Sequence, residues 1–172
     1  MKHYGDITRL HGDSLPIVDI ITGGSPCQDL SVAGLRKGLS GERSGLFMDQ
    51  IRIVKEMREH DRSIKGADVD IRSLSPRFLV WENVPGALSS GTPKGEDFRI
   101  VLEEIASVCE EDAVIPKPPK EGWHSAGCIM GNGYSIAWRI TDTQYWGRTI
   151  RDSDTGNVHR MGTPQRRRRI SL

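Results

Sequence analysis

The chain has 172 residues, 36% hydrophobic and 27% charged, the proportions of a soluble globular protein with one core. A formal net charge of +1 excludes a whole-molecule field as the signature of a partner. No apolar run reaches membrane-spanning length, MKHYGDITRL is not a signal peptide, and three cysteines without tight spacing argue against a disulfide framework.

In chain order, residues 1–16 read as a loop in which Asp6 can act as a cap. The run Ile17-Val18-Asp19-Ile20-Ile21 predicts a buried strand that ends in a glycine turn. The turn opens the nucleophile-like loop GGSPCQDLS, residues 23–31. Pro26 fixes its own φ and restricts Ser25, so Cys27 is presented on a stiff loop outside the carboxyl end of a strand, where open α/β sheets place their chemistry. Residues 32–44 are rich in Gly, Ser and basic side chains and read as a long binding loop or lid.

Phe47, Ile51, Val54 and Met57 recur at helical spacing and predict a helix from Leu46 to about His60, followed by a polar loop from Asp61 to Ser75. Phe78-Leu79-Val80-Trp81 suits a buried parallel strand, with Glu82 directly after it. A second amphipathic helix is predicted over Glu96–Glu110, with Phe98, Leu102, Ile105 and Cys109 on one face. Residues 111–133 read as an irregular connection. His124 and Cys128 lack a second pair to complete a zinc site, and no metal is expected. Tyr134 to Ile140 alternates apolar and polar, as a half-buried antiparallel strand at a sheet edge does. Residues 147–162 look like an insertion, and the chain stops at Ile170-Ser171-Leu172, inside a strand.

Three segments in this order, SPCQDLS, WENVPGA (81–87) and GTPQRRRRISL (162–172), resemble the cytosine-5 DNA methyltransferases. The resemblance implies an α/β fold: a doubly wound, mostly parallel sheet of the S-adenosylmethionine-dependent methyltransferase type, incomplete here. Residues 1–172 would be a partial catalytic domain made of the nucleophile loop (23–31), the acid-bearing strand end (81–87) and the arginine motif (162–172). The glycine-rich strand-turn-helix motif, the target-recognition domain and the closing helix of the family are expected to be absent.

The resemblance also implies roles. Carbon 5 of cytosine becomes nucleophilic only after a thiolate adds to carbon 6, and Cys27 is the expected nucleophile. Glu82 would meet ring nitrogen 3 as a proton donor. A Glu with an ordinary pKa near 4.3 would need a dry setting and an upward shift of roughly two to three units. Arg167 and Arg169, the second and fourth residues after Gln165, would bind the cytosine carbonyl or its phosphate, with Arg166 and Arg168 on the other side of an extended segment.

Asp6, Ile7 and Pro26 would contact S-adenosylmethionine, Asp6 and Ile7 at its adenine. Gln28, Ser31, Arg43, Asn83, Val84 and Gln165 would hold loops and DNA. The target base must leave the duplex to reach such a pocket. Double-stranded DNA is the expected partner, possibly with a complementary methyltransferase chain, in a cytoplasmic restriction-modification setting without membrane association.

Two other readings stay open. The chain is a non-catalytic remnant or split-enzyme half that binds DNA weakly through its arginines, or it is another pyrimidine-modifying thiol enzyme such as a thymidylate synthase relative.

Overall fold

The computed structural model describes residues 2–25, 45–145, 147–162 and 166–172. Seven strands and two α-helices are found among them. The strands are β1 (Ile20–Gly23), β2 (Phe78–Asn83), β3 (Ala126–Met130), β4 (Ser135–Asp142), β5 (Gly147–Arg151), β6 (Val158–Gly162) and β7 (Arg168–Ser171). The helices are α1 (Gly45–Lys65) and α2 (Glu96–Ala106). Five strands form one sheet in the order β1-β2-β7-β4-β3, and β5 and β6 form a separate ribbon.

The architecture is mixed α/β, but the expected mostly parallel sheet is not what forms. Only β1 and β2 pair in parallel, and the β2–β7, β7–β4 and β4–β3 pairs are antiparallel. The reason lies in the connections. Parallel neighbours need a crossover, which α1 supplies between β1 and β2, whereas the described residues between β4 and β7 form a 3₁₀ turn (Thr143–Tyr145) and the β5–β6 ribbon, with no α-helix. The ribbon occupies the stretch that the sequence marks as an insertion.

Both helices share one apolar core with the sheet, so the described helices do not wrap it from two sides as a doubly wound fold requires. Phe47 and Ile51 from α1 and Phe98, Val101 and Leu102 from α2 meet Trp81, Ile136, Trp138 and Ile170 from the strands. An aromatic chain runs through this layer. Phe47 meets Trp81 edge-on at 6.2 Å between centroids, Trp81 meets Phe98 at 6.2 Å, and Phe98 meets Trp138 edge-on at 5.5 Å.

The other face of the parallel pair is bare. Ile20 is 55% exposed, Phe78 56% and Val80 38%. The fully buried strands expected at 17–21 and 78–81 are therefore buried on one face only, and the first starts three residues later than the apolar run does.

Other boundaries also move. Helix α1 extends to Lys65 because Asp61, on its buried side, accepts hydrogen bonds from Lys65 Nζ at 2.8 Å and from the Ser75 N–H at 2.7 Å. Arg58, also buried, donates to the carbonyls of Leu74 and Pro76 at 2.7 Å and of Ile71 at 2.7 Å. Together they fasten the Asp61–Ser75 connection to α1 and set the entry into β2. Strand β3, read from sequence as irregular, pairs along its whole length with β4, which places β4 inside the sheet and β3 at its edge. Helix α2 ends at Ala106, and Cys109 lies half-buried beyond it, within 3.7 Å of Arg58 Nη2. No helix among the described residues is long and apolar enough to cross a membrane.

The Asp61 clamp carries a pH dependence. Burial opposes its charge, but hydrogen bonds from Lys65 and Ser75, with the charges of Lys65 and Arg58, outweigh burial and hold the carboxyl below its ordinary value. A depressed folded pKa contributes stability above the unfolded value, near 4, and loses it as pH falls through the folded value. Asp61→Asn is expected to cost about 1–3 kcal/mol in urea denaturation at pH 7. The gap to wild type should close as pH drops below about 4, and a gap constant from pH 7 to pH 3 would show the carboxylate is not responsible.

Candidate functional site

The carboxyl ends of β1 and β2 come together because the two strands run in parallel register, Gly23 opposite Trp81. The close approach depends on glycine. A Cβ on Gly24 would stand 3.0 Å from Glu82 Oε2 and 3.3 Å from the Glu82 carbonyl, and one on Gly23 would overlap the side-chain amide of Gln50 from α1.

Ser25 is then tied down twice by β2. Trp81 Nε1–H donates to Ser25 Oγ at 3.1 Å, and Asn83 Nδ2–H donates to the Ser25 carbonyl at 3.0 Å. Asn83 is buried, and its Oδ1 accepts from the Val84 N–H at 2.8 Å. Of the two duties expected of Asn83, its amide here serves the holding of loops. Val84 is half-buried and starts the 3₁₀ turn Pro85–Ser89.

Glu82 sits in the last turn of the pleat, within β2 rather than after it. Its register partner on β7 is Ser171, and Arg169, two residues away on the same face, reaches it. Arg169 Nε lies 2.7 Å from Glu82 Oε1, with the side chains 30% and 44% exposed. The dry pocket expected around Glu82 is therefore not the observed setting; a guanidinium and solvent border the carboxyl instead. Trp81, which was to supply the dryness, points the other way, into the core, as strand alternation requires.

The four arginines separate as an extended segment demands. Arg166 and Arg168 line a cleft of about 450 Å³ with Asp142, Gln144 and Tyr145. Arg166 Nε–H donates to Gln144 Oε1 at 3.3 Å. Asp142 anchors this corner by accepting from the backbone N–H groups of Gln144 and Arg167, each at 3.2 Å. Arg167 is exposed at the entry to β7. Among the described residues, Arg169 is the cation that pairs with Glu82.

Asp6 and Ile7 lie elsewhere, along the flank of α1, where Arg52 donates to the Ile7 and Leu10 carbonyls at 3.3 and 2.8 Å. Asp6 caps its own 3₁₀ turn, its Oδ1 accepting from the N–H and hydroxyl of Thr8 at 3.0 and 2.9 Å. The Thr8 N–H, then its hydroxyl, hold the exposed carboxyl below its ordinary range. Pro26, Cys27, Gln28, Ser31, Arg43 and Gln165 lie outside the described residues.

Two residues that hold the site were not singled out from sequence. Gln50 is buried against Gly23, and its Nε2 has no hydrogen-bond partner among the described residues. Ser25 is the anchor that carries the position of β2 to the loop holding Cys27. The signal for Gln50 was present: it falls three residues after Phe47 and four before Val54, a polar side chain on an apolar face. For Ser25 the signal was its place at the head of SPCQDLS, where Pro26 restricts it.

Residues 1–108 match the model of a protein family described as C-5 cytosine-specific DNA methylase. The chain is 32% identical to a DNA N-6-adenine-methyltransferase of Escherichia phage P1, over 86% of this chain and 21% of that protein. It is 34% identical to the orphan methyltransferase M.Rho11sI of Bacillus phage rho11s, over 62% of this chain and 17% of that protein. To the type II methyltransferase M.BsuFI of Bacillus subtilis it is 26% identical, over 85% of this chain and 25% of that protein. The chain thus spans about a sixth to a quarter of the length of these relatives.

Proposed function

Since the chain belongs to the C-5 cytosine-specific DNA methylase family, we propose that it carries the nucleophile, acid and arginine parts of a DNA (cytosine-5) methyl-transfer site. One observation supports this most. The Glu82–Arg169 pair stands at the strand end to which Ser25, two residues before Cys27, is hydrogen-bonded. An acid, a guanidinium fork and the base of a thiol-bearing loop are thereby held at one edge of the sheet.

In this reading the Cys27 thiolate adds to carbon 6 of an everted cytosine, and the electron pair of the 5,6 double bond moves toward carbon 5 and the ring. Glu82 gives a proton to nitrogen 3 as charge develops there, and Arg169, with Arg167 beside it, stabilises the carbonyl oxygen or the adjoining phosphate. The methyl group comes from S-adenosylmethionine, whose sulfonium makes it electrophilic. S-adenosylhomocysteine leaves, a solvent base takes the proton from carbon 5, the 5,6 double bond re-forms as the thiolate is expelled, and nitrogen 3 returns its proton to Glu82. Asp6 and Ile7 would hold the adenine, with Pro26 from the nucleophile loop. Gln28, Ser31, Arg43, Val84 and Gln165 would position loops and DNA. In this reading the incoming base takes the place of Arg169 at the Glu82 carboxyl.

In this reading S-adenosylmethionine binding and sequence recognition draw on parts of the family that the match to residues 1–108 does not include, and a complementary methyltransferase polypeptide can supply them in the assay.

The test is a duplex containing 5-fluorocytosine, incubated with the chain, S-adenosylmethionine and the complementary part of a relative. A methylated covalent complex that is lost in Cys27→Ala is expected, because fluorine blocks the final elimination. The phage P1 relative's name favours a second reading, transfer to adenine nitrogen 6. Digestion of DNA carrying labelled methyl groups separates the two: label in 5-methylcytosine supports the first, and label in N6-methyladenine the second. DNA binding that weakens with salt, without transfer to either base, would instead indicate a remnant.

A further inference from the structure

β5 and β6 stand apart from the five-stranded sheet as a ribbon of two strands, five residues each. A lone two-stranded ribbon is marginally stable in water, so a surface that it meets elsewhere has reason to exist. Its root is closed where the chain leaves and rejoins the sheet. The Thr143 N–H donates to the Arg167 carbonyl at 3.2 Å, and the Arg167 N–H donates to Asp142 Oδ1 at 3.2 Å. Gly147 then stands opposite Gly162 as the first pair of the ribbon. β2 and β4 are both antiparallel to β7 and so run in one direction. The ribbon is therefore rooted at the carboxyl end of these strands, the end that carries Glu82 and the cleft of Arg166 and Arg168.

Composition gives the ribbon its sign. The strands, GRTIR and VHRMG, hold three arginines and one histidine and no acid. The acids lie in the tip, where Asp152 Oδ1 is occupied by the N–H groups of Asp154 and Thr155 at 2.8 and 2.9 Å. Register sorts the strand residues into two faces. Thr149 is opposite Arg160 and Arg151 is opposite Val158, and alternation places these four on one face. The other face carries Arg148, Ile150, His159 and Met161, with a single arginine. Arg151 and Val158 are exposed.

We propose that this ribbon enters the major groove of DNA, with the face of Thr149, Arg151, Val158 and Arg160 toward the base edges. The dimensions agree. The groove is about 12 Å wide and about 8.5 Å deep and admits a two-stranded ribbon, and five residues at about 3.4 Å each reach roughly 17 Å from root to tip. The chemistry of that face agrees as well. An arginine fork pairs with O6 and N7 of guanine, and the methyl groups of threonine and valine match that of thymine. Arg166 and Arg168, exposed at the foot of the ribbon, are left for the phosphates that border the groove. This inference rests on DNA being the substrate, as proposed above, and deepens that reading by naming an element that reads sequence.

The experiment measures binding of the intact chain to a library of random-sequence duplexes and compares two variants. One joins Gly147 directly to Gly162 by removing residues 148–161. The other is Arg151→Ala. The wild-type chain is expected to enrich a subset of sequences, and Arg151→Ala to lose about 10-fold of the preference at one base pair while keeping its salt dependence. Ribbon removal should abolish the enrichment and leave the urea midpoint in place, since among the described residues none from the ribbon belongs to the core. Equal enrichment with and without the ribbon, or none by the wild-type chain, would overturn the proposal. So would a uniform loss of affinity in Arg151→Ala with a smaller salt slope, which puts that arginine on phosphate. Should ribbon removal unfold the chain, Arg151→Ala alone decides. Ribbon-dependent enrichment by a chain that leaves no label in cytosine strikes the methyl-transfer reading and keeps the ribbon. Label in cytosine with ribbon-independent enrichment does the reverse.

Discussion

Glu82→Gln is expected to lower the rate of 5-fluorocytosine adduct formation by about 10²–10⁴-fold, the usual contribution of a positioned proton donor, while leaving the fold intact. Glutamine keeps the shape of the side chain and can still accept a hydrogen bond from Arg169, but it has no proton to give. The separation of activity from stability follows from exposure. The Glu82 and Arg169 side chains are 44% and 30% exposed, and a pair so placed contributes only about 0.2–1 kcal/mol. Urea midpoints of Glu82→Gln and wild type should therefore nearly coincide. Adduct formation at wild-type rate in Glu82→Gln would remove Glu82 from the chemistry, whatever the fate of Cys27. Arg169→Lys tests the other half of the pair. It keeps the charge but loses the planar fork, so it should bind DNA with nearly wild-type salt dependence and form adduct slowly.

The largest loss of stability is expected at Trp81→Ala, about 3–5 kcal/mol, against a total near 5–15 kcal/mol for a domain. Trp81 is fully buried and touches both Phe47 and Phe98, so its removal opens the aromatic chain that joins α1 to α2. Its N–H also reaches Ser25 Oγ, which joins the core to the residue two before Cys27. Trp81→Phe separates these two duties. It retains most of the ring packing and gives up the N–H bond, at a cost of about 0.5–1.5 kcal/mol for the bond itself. If the bond positions the loop, adduct formation should fall more than stability does. A Trp81→Phe chain that is less stable yet reacts at the wild-type rate would show the indole is only core.

These expectations rest on residues that were unequally visible in the sequence. The family resemblance could be read from three short segments, because side-chain chemistry is carried by residue type and order, and the family match over residues 1–108 agrees with it. The separation of Arg169 from Arg166 and Arg168 was also legible, since alternation follows from any extended backbone. Polar residues that hold the frame were partly legible: Gln50, Arg58 and Asp61 all fall at spacings of three or four from the apolar stripe of α1, and each proves buried.

What the linear chain could not supply is whatever depends on a distant neighbour. β3 looks irregular until β4 lies beside it, because Ala126–Met130 is short and Gly-containing and its strand character comes from pairing rather than from propensity. The strand order, with β7 between β2 and β4, joins segments some ninety residues apart, and it alone decides that the partner of Glu82 is Arg169. Local sequence thus determined which groups exist, which stripes are apolar and where two helices and the strands β2 and β4 begin. Tertiary structure decided the direction of each strand, the exposure of Glu82 and its pairing with Arg169. Strand partners and burial are properties of packed surfaces, and no window of residues contains the surface it will meet.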